Sequence, residues 1–407
     1  MGRIVQKFGG TSVGSVEKIK NVADRVLEEV NRGNEVVVVV SAMGKTTDKL
    51  VEMAREISPF PNKREMDMLL TTGEQITISL LSMELNERGF ETISLTGWQA
   101  GVHTESVHGN ARITDIDTDR IETALSLGKI VVVAGFQGIS GPEITTLGRG
   151  GSDTTAVALA AALNAEKCDI YTDVTGVYTT DPRYVEGARK LNSVSYDEML
   201  ELANLGAGVL HPRAVEFAKN YQMPLEVRSS MDRVSGTIIE EEVSMEQNLI
   251  VRGIAFEDSI TRISIFGLKK GISSIFTALA ESHVNVDIII QSMTAEHETS
   301  LSFSVKTGDV KEALEVLNSH KESIQYETIE TESNLAKVSI VGSGMVSNPG
   351  VAAEMFEVLS QKGISIKMVS TSEIKVSTVV AQDKMLEAVG ALHEAFNLSD
   401  AFAIEQK

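Results

Sequence analysis

Apolar and polar positions follow two different periods along the first half of the chain. Short, almost continuous runs of valine and isoleucine predict buried strands at residues 4–8, 36–40, 130–134 and 170–174. Such runs are typical of parallel strands covered on both faces. Stretches with helical spacing separate them, at residues 16–30, 64–88, 121–127 and 152–163. Strands that alternate with helices predict a three-layer α/β domain with a mainly parallel sheet.

This pattern continues to about residue 240. Two further helices are predicted at residues 199–205 and 214–221, and a strand follows at 225–228. The run at residues 240–244 is acidic and shows no periodic spacing of apolar and polar positions, which is typical of an exposed linker. The sequence therefore predicts an N-terminal domain over residues 1–240.

An internal repeat follows the linker. RISIFG at residues 262–267 is similar to KVSIVG at 337–342, and the segments at 275–280 and 284–288 match those at 355–360 and 364–368. Each copy predicts strand, helix, strand, strand, helix, strand, the order of a ferredoxin-like α+β unit. We assign the modules to residues 249–331 and 332–407. The copies either merge their sheets beside a small-ligand cleft or only add bulk and dimer contacts, and both interpretations stay open.

Composition narrows the classes of partner. The 407 residues carry a net charge of −20, so the surface repels phosphate backbones and anionic lipid. Nucleic acid and membranes are therefore not expected as partners, although a local basic site could hold one nucleotide. The single cysteine, Cys168, excludes an internal disulfide and fits a cytoplasmic protein. The N-terminal residues do not resemble a signal peptide, and no apolar stretch approaches the ~20 residues of a membrane helix.

KFGGTS at residues 7–12 leads from the first predicted strand towards a helix. Gly9 and Gly10 allow a phosphate to approach the backbone closely, and the amides of the next helix face such an anion. Lys7, at the end of the strand, could neutralise charge on a transferring phosphoryl group. The segment is not a Walker A loop, and a tight turn with an exposed lysine remains the alternative.

A second glycine-rich segment, TLGRGGSDTT at residues 146–155, precedes the helix pattern at 152–163. Ser152 is predicted to cap that helix, which places the glycines at its positive end. Two such loops in one α/β domain indicate that two anionic ligand parts meet at the carboxyl edge of the sheet. A plain helix cap is the alternative.

Three further segments complete the candidate chemistry. In YTDVTGVYTTDPR at residues 171–183, polar groups and Tyr178 could position a nucleotide, or could simply form a loop. SAMG at residues 41–44 follows the second strand. Glu74 lies in the predicted helix over 64–88 and, beside a cationic phosphate site, could bind a substrate ammonium. We discount His103, His108 and His211 as metal ligands because their spacing is wrong, and a dinucleotide site at residues 342–347 because the third glycine is missing.

Together these segments resemble the aspartate kinases of the amino-acid kinase family, with tandem C-terminal ACT modules. The resemblance extends to TGEQ at residues 72–75, VLHPRAVEFA at 209–218 and VSTSEIKVS at 369–377, and its character is nearest to the lysine-sensitive Bacillus-type enzymes. It implies transfer of the ATP γ-phosphate to the side-chain carboxylate of L-aspartate. The product, 4-phospho-L-aspartate, would open the synthesis of lysine, threonine, methionine and diaminopimelate.

The resemblance also implies roles for individual residues. Lys7 would stabilise the phosphoryl group, and Asp153 would orient Lys7. Mg²⁺ would arrive with ATP and bridge its phosphates, with no separate metal site in the protein. The ATP-binding residues would be Lys7, Phe8, Gly9, Gly10, Thr172, Asp173, Tyr178, Thr179, Thr180, Asp181, Pro182 and Arg183. The aspartate-binding residues would be Ser41, Thr47, Glu74, Arg149, Gly150, Gly151 and Ser152.

The ACT modules would bind a feedback inhibitor, lysine with or without threonine. The implied contacts are Asn285, Val286, Asp287 and Gln291 in the first module and Ser365, Ile366 and Ser372 in the second. We expect Asp287→Ala to weaken inhibition without changing the uninhibited activity. Met245 is a candidate internal start for a short regulatory subunit, so either a homo-oligomer or an α2β2 assembly is expected.

Two departures from the family pattern stand out. Gly208 replaces the lysine of the usual GAKVLHP, and the loop at residues 267–271 is short and lacks the usual Asp and Pro. Two alternatives to an aspartate kinase also remain. One is another kinase of the family, acting on N-acetylglutamate, glutamate, carbamate or a nucleoside monophosphate. The other is an amino-acid sensor that has lost turnover.

Overall fold

The computed structural model describes residues 2–206, 208–241, 250–269, 272–293 and 299–399. The chain forms two compact units. The first comprises Met1–Val177, Lys190–Asn204 and Gly208–Gln247, and the second comprises Tyr178–Arg189, Leu205–Ala207 and Asn248–Lys407. A short piece from the middle of the chain thus belongs to the second unit.

The first unit contains twelve described strands and eight helices. The strands are β1 (Arg3–Phe8), β2 (Glu35–Val40), β3 (Thr92–Leu95), β4 (Val102–Thr104), β5 (Ile113–Ile116), β6 (Ile130–Ala134), β7 (Gln137–Ser140), β8 (Glu143–Thr146), β9 (Lys167–Thr172), β10 (Ser193–Ser195), β11 (Leu225–Ser229) and β12 (Thr237–Glu240). The helices are α1 (Val16–Asn31), α2 (Thr46–Ile57), α3 (Lys63–Leu70), α4 (Thr72–Glu87), α5 (Asp119–Ser126), α6 (Gly151–Ala162), α7 (Tyr196–Asn204) and α8 (Pro212–Asn220).

Eight of these strands form one sheet in the order β10-β12-β11-β9-β1-β2-β6-β3. Every neighbouring pair is parallel except β11 with β12. The central strands are buried on both faces: Val36, Val38 and Val40 pack with α1 and α4, while Val37 and Val39 are equally inaccessible to solvent. Helix α6 contacts β1, β2 and β9. The predicted mainly parallel α/β sheet is confirmed.

A smaller sheet, in the order β5-β4-β7-β8, was not predicted. Its strands have three or four residues each, too short for a clear alternation of apolar and polar positions. The hairpin of β7 and β8 pairs Gln137 with Thr146, and Thr146 is followed by the second glycine-rich segment. This sheet therefore carries that segment.

The predicted helix over residues 64–88 is broken in the structure. Helix α3 ends at Leu70 and α4 begins at Thr72. The hydroxyls of Thr71 and Thr72 donate to the carbonyls of Met68, at 3.1 Å, and Leu69, at 2.6 Å, and so compete with helix amides for these acceptors. The break sets Glu74 in the first turn of a new helix.

The second unit contains one six-stranded sheet in the order β14-β15-β13-β16-β18-β17. Its strands are β13 (Gly253–Leu268), β14 (Ile289–Met293), β15 (Thr299–Lys306), β16 (Thr328–Val341), β17 (Met368–Thr371) and β18 (Lys375–Ala381). Its helices are α9 (Ser273–Glu281), α10 (Val310–Ser319), α11 (Lys321–Ile324), α12 (Val351–Gln361) and α13 (Met385–Ala395). The two predicted ferredoxin-like modules are present and their sheets are merged.

The long strands β13 and β16 each contribute to both modules, so the modules are not separated by one boundary after residue 331. The first residues of β13, 253–257, pair with Val341 back to Lys337, within the second copy. Val251 and Ile254 accordingly lie in one apolar core with Leu359 and Leu392. Hence the last strand of the second module precedes the first module in the chain, and the expected order of the second copy is corrected in this respect.

Within the described residues, no helix is long and apolar enough to span a membrane. Met245, residues 242–244 of the predicted linker over 240–244 and part of the loop at 267–271 lie outside the described residues. Glu240, the first residue of that predicted linker, is instead the last residue of β12.

Candidate active site

Lys7 and Asp153 form an ion pair at the carboxyl edge of the large sheet. Lys7 lies near the end of β1, and its Nζ is 2.6 Å from Asp153 Oδ1 in the first turn of α6. Both side chains are nearly inaccessible, at 11% and 12%. Because the pair is largely shielded from solvent, each charge depends on the other for compensation. The sequence placed both residues in glycine-rich segments, and the fold brings those segments together.

The first glycine loop packs directly against the loop that follows β2. The amide of Gly44 donates to the carbonyl of Gly10 at 2.9 Å, and the amide of Ser41 donates to that of Phe8 at 3.1 Å. A Cβ atom at Gly10 would lie 2.9 Å from the carbonyl oxygen of Ala42. Gly10 is therefore required by a close approach of backbone to backbone, and Ser41 lies at the same edge of the sheet as Lys7.

The second glycine loop ends at Gly150, the residue before helix α6. Gly150 has φ +71°, and a Cβ atom there would lie 2.1 Å from Cγ of His211. The helix begins at Gly151, one residue earlier than predicted, so Ser152 is inside the first turn and Gly150, not Ser152, is the cap. Ser152 instead packs against Gly135, the residue that follows β6, where a Cβ atom would lie 2.7 Å from the Ser152 side chain. Arg149 is exposed to solvent.

Glu74 is the buried acid of the site. Its Oε1 accepts a hydrogen bond from the amide of Ala42 at 3.1 Å, and only 2% of the residue is exposed. Burial raises the pKa of Glu74 to about 8, although the backbone hydrogen bonds partly oppose this. Its second oxygen, Oε2, has no hydrogen-bond donor among the described residues. A buried carboxyl oxygen without a partner is suited to receive a cationic ligand.

Thr47 is the second residue of α2, a helix that was not predicted from the sequence. Its neighbour Thr46 donates to the carbonyl of Met43 at 2.6 Å and lies beside Gly73, which precedes Glu74. The structure thus places α2 at the same group of loops, and the role of Thr47 stays a prediction.

Thr172 and Asp173 lie at the end of β9, beside β1. Phe8 pairs with Tyr171 in the sheet, and their rings stack with centroids 4.5 Å apart. Thr172 accepts at its carbonyl from the amide of Ser230 at 2.9 Å, and the hydroxyl of Ser230 bonds that of Ser12 at 2.9 Å. Ser230, from the loop after β11, was missed by the sequence analysis because nothing in its local pattern marks it.

The remaining predicted nucleotide residues belong to the second unit. They are Tyr178, Thr179, Thr180, Asp181, Pro182 and Arg183. Arg183 binds both carboxylate oxygens of Asp181, and its hydrogen bond lowers the pKa of that carboxyl. The hydroxyl of Thr179 lies 2.9 Å from Nε2 of the buried His393, and its carbonyl accepts from the amide of Ile254 at 2.7 Å. The role of this segment in nucleotide binding stays a prediction.

The predicted effector residues lie before, on or just after the two edge strands of the six-stranded sheet, β14 and β17. In the first module Asp287 forms an ion pair with the buried Lys337, which also lies 3.1 Å from Glu257. Burial lowers the pKa of Lys337, but Asp287 and Glu257 more than offset this, so the net shift is upward. The other predicted residues lie within the described chain as follows: Asn285, Gln291, Ser365 and Ser372 are exposed, and Val286 and Ile366 are half-buried.

His211 is the main residue of the site that the sequence analysis set aside. It caps α8, where its Nδ1 accepts a hydrogen bond from the amide of Arg213 at 3.3 Å. Burial lowers its pKa, and the charges of Arg213 and Arg149 act in the same direction while Asp153 opposes them. A neutral ring with Nδ1 as acceptor carries its proton on Nε2. The signal that could have identified it is the histidine–proline pair at a helix start.

The geometry of the site suits an anionic ligand. Among the described residues, no group of three or more His, Cys, Asp or Glu is placed to hold a metal ion. Two glycine loops, the ammonium of Lys7 and the start of α6 instead meet at one edge of the sheet. Amides and a lysine in this arrangement bind phosphate groups.

Comparison with known proteins agrees with this picture. The amino acid kinase family model matches residues 2–229, and an ACT domain model matches residues 269–320 and 338–396. An aspartokinase from Bacillus sp. (strain MGA3) is 71% identical over 403 residues, which cover 98% of either chain.

Solved structures give the same result for the fold. The crystal structure of E. coli aspartokinase III in complex with aspartate and ADP, termed the R-state, has a TM-score of 0.79 at 27% identity and covers 96% of this chain and 99% of that one. The T-state of the same enzyme, in complex with lysine and aspartate, has a TM-score of 0.75 at 27% identity, covering 98% and 99%. The chain therefore belongs to the aspartokinases of the amino acid kinase family.

Proposed function

We propose that this protein transfers the γ-phosphoryl group of ATP to the side-chain carboxylate of L-aspartate and releases ADP and 4-phospho-L-aspartate. The observation that carries this proposal is the Lys7–Asp153 pair, held where two glycine loops meet beside the buried, half-satisfied Glu74. This arrangement offers one region for phosphates and one for an ammonium group.

The amino-acid substrate would be held by its α-ammonium and α-carboxylate groups, which all α-amino acids share. Glu74 would receive the α-ammonium at its unpartnered oxygen, and the exposed guanidinium of Arg149 would bind the α-carboxylate. Ser41, Thr47 and the amides of residues 150–152 would complete the pocket. The side-chain carboxylate is then directed towards the phosphates.

The nucleotide would lie with its phosphates on Gly9 and Gly10, next to Lys7. Thr172, Asp173 and the segment over residues 178–183 would hold the rest of it. No general base is needed, because the attacking carboxylate is already ionised at neutral pH. Positioning and charge neutralisation by Lys7 would then supply most of the rate.

Mg²⁺ is proposed to accompany ATP. The ion prefers oxygen ligands and is commonly held through substrate phosphates, where it offsets their charge. Asp173, exposed just after β9, is a carboxylate among the proposed nucleotide residues that would be available to the ion. No larger set of acidic ligands is required for this arrangement.

The test is ATP-dependent formation of an acyl phosphate that hydroxylamine traps. We expect product with L-aspartate and none with N-acetylglutamate, glutamate or carbamate. Nucleoside monophosphates would yield a diphosphate that hydroxylamine does not trap, so ATP consumption is measured with them, and none is expected. Lys7→Met should reduce kcat by about a hundredfold or more, the usual loss when a preorganised charge at the transition state is removed. Lys20→Met, at an exposed position of α1, is the matched control.

Turnover of another acceptor, or full activity of Lys7→Met, would contradict the proposal. Binding of amino acids without any turnover would favour the alternative of a sensor. The distinction is clear because trapping requires the covalent product.

Regulation by lysine, with or without threonine, is proposed to act through the ACT modules. The first module offers Asp287, whose repeat-equivalent is Lys367 in the second module. Lys367 instead lies 2.9 Å from Glu332. An acidic residue in the first copy alone favours a cationic effector at that site. Such an effector would act by binding one state of the protein more tightly than another.

Asp287→Asn tests this regulatory site. We prefer the amide to alanine because alanine would leave the buried Lys337 ammonium with less compensation. Half-inhibition should require about tenfold more lysine, since one charge-assisted contact contributes about 1.5–3 kcal/mol. Asp258→Asn, an exposed residue of the same unit, serves as control. An equal loss of activity without effector would reject the assignment.

The assembly is proposed to be a homo-oligomer of the full chain. An α2β2 arrangement would require a second, shorter product beginning near Met245. Purification of the full-length gene product as a single band would support the homo-oligomer, whereas a second band of the C-terminal size would support α2β2.

A further inference from the structure

A fully buried carboxylate outside the proposed reaction centre joins two parts of the substrate site. Asp67 lies on α3 with no exposed surface. It accepts hydrogen bonds from the hydroxyl of Thr146 at 2.6 Å and the amide of Gly109 at 3.1 Å, and its other oxygen lies 2.8 Å from Nδ1 of His108. These three groups compensate the burial of its charge.

Each of these groups leads to the glycine loop that precedes Arg149. Thr146 ends β8 and stands three residues before Arg149. His108 and Gly109 precede Asn110, and a Cβ atom at Gly148 would lie 2.7 Å from Asn110 Oδ1. The loop therefore rests on the segment that Asp67 fixes.

Arg213 closes the same loop from the other side. Its guanidinium donates to Asn110 Oδ1 at 3.0 Å, to the carbonyl of Leu147 at 2.6 Å and to that of Ala111 at 2.9 Å. The residues just before Gly148 are thus held from two helices, Leu147 by Arg213 of α8 and Thr146 by Asp67 of α3. Rigid support of this kind positions a ligand-binding side chain.

Asp67 is also connected to Glu74. Its own carbonyl accepts from the amide of Thr71 at 3.2 Å, at the break between α3 and α4, and Glu74 follows in the first turn of α4. One residue therefore joins the chain that leads to Glu74 with the chain that leads to Arg149.

We propose that Asp67 is a positioning residue that sets the spacing between Glu74 and Arg149, and with it the affinity for the α-amino acid substrate. This inference rests on the proposed function, in which these two residues bind the α-ammonium and the α-carboxylate. Those two groups have a fixed separation in every α-amino acid, so a change in the protein spacing weakens at least one contact. Asp67 itself has no exposed surface for a substrate to contact.

The test is the steady-state kinetics of Asp67→Asn with each substrate varied in turn. We expect KM for L-aspartate to rise by about tenfold or more, because small misplacements of binding groups are costly. KM for ATP should change by less than about twofold. Glu65→Gln, the same chemical change at an exposed position of α3, is the matched control and should leave both constants unchanged.

Thr146→Val provides a milder variant if Asp67→Asn does not fold. It keeps the shape of the side chain and removes one hydrogen bond to Asp67, so the same selective rise in KM for aspartate is expected. A folded variant with both KM values unchanged, or with both raised equally, would overturn the inference. Absence of aspartate phosphorylation by the unaltered chain would overturn the proposed function, and this inference with it.

Discussion

At the scale of single residues, Glu74 shows how a binding site can reduce stability. A carboxyl group whose pKa is raised from 4.5 to about 8 on folding binds a proton more tightly in the folded state. Its contribution is therefore neutral at low pH, and the folded state loses stability as pH rises between about 4.5 and 8. The cost is largest where the protein would need the charged form to bind an ammonium group.

Glu74→Gln should separate these effects. Above pH 8 the variant should be more stable than the unaltered chain by about 1–3 kcal/mol. The reason is that the variant has no ionised carboxylate buried without a partner at this position. Below pH 5 the difference should vanish. Urea denaturation at several pH values measures this, and the aspartate kinetics should show the opposite trend, with weaker binding by the variant. A constant difference across pH would contradict the assigned titration.

Sequence reasoning selected Lys7, Asp153 and Glu74 as candidates because each stands in a short segment whose glycines or neighbours mark a strand end or helix start. It could not find the contact between Asp67 and His108, which are 41 residues apart and are joined only by the fold. His108 and His211 were judged by metal-ligand spacing, whereas their observed contacts are hydrogen bonds to Asp67 and at the cap of α8.

At the scale of elements, the start of α6 depends on a residue that must be glycine for two reasons. Gly150 has positive φ and would place a Cβ atom inside the ring of His211. Gly128 has almost the same φ, +73°, but a Cβ atom there would meet nothing within 4 Å. The two positions thus separate backbone strain from steric exclusion.

Gly128→Ala should cost about 1 kcal/mol, the price of the left-handed conformation alone. Gly150→Ala should cost clearly more and should abolish aspartate turnover, because either His211 or the glycine loop must move. Thermal unfolding and the hydroxylamine assay measure the two effects. Equal stabilities and equal activities of the two variants would contradict this prediction. They would show that His211 can move to accept a Cβ atom without loss of stability or activity.

Element boundaries were predicted best for the short, continuous apolar runs of the central sheet. Strands β1, β2 and β6 follow the apolar runs closely, since burial on both faces leaves a continuous signal. Helix α2 was missed because it has little apolar face to mark it, and Ala54 is the one residue of its twelve that is buried. The break at Thr71 was not anticipated because hydroxyl groups that bond to nearby carbonyls leave the apolar spacing unchanged.

At the scale of the whole molecule, the two ACT modules are interleaved rather than sequential. Strands β13 and β16 each pass through both modules, and Ser259 and Asn334, at equivalent positions of the repeat, both have positive φ, +57° and +58°. The repeat in the sequence revealed two copies. The repeat could not reveal that the modules share strands. Residues 253–257 pair with the second module although they precede the first module in the sequence.

Residues Tyr178–Arg189 have a practical consequence for anyone who recombines such chains. Val185 packs into the apolar core of the second module, and the ring of Tyr184 meets that of Phe256 edge-on at 5.5 Å. A chimera that joins the N-terminal region to a foreign regulatory half at the linker would leave this short stretch without its native neighbours. The stretch must therefore be exchanged together with the C-terminal half. Such a chimera needs a junction at each end of the stretch in addition to the one at the linker.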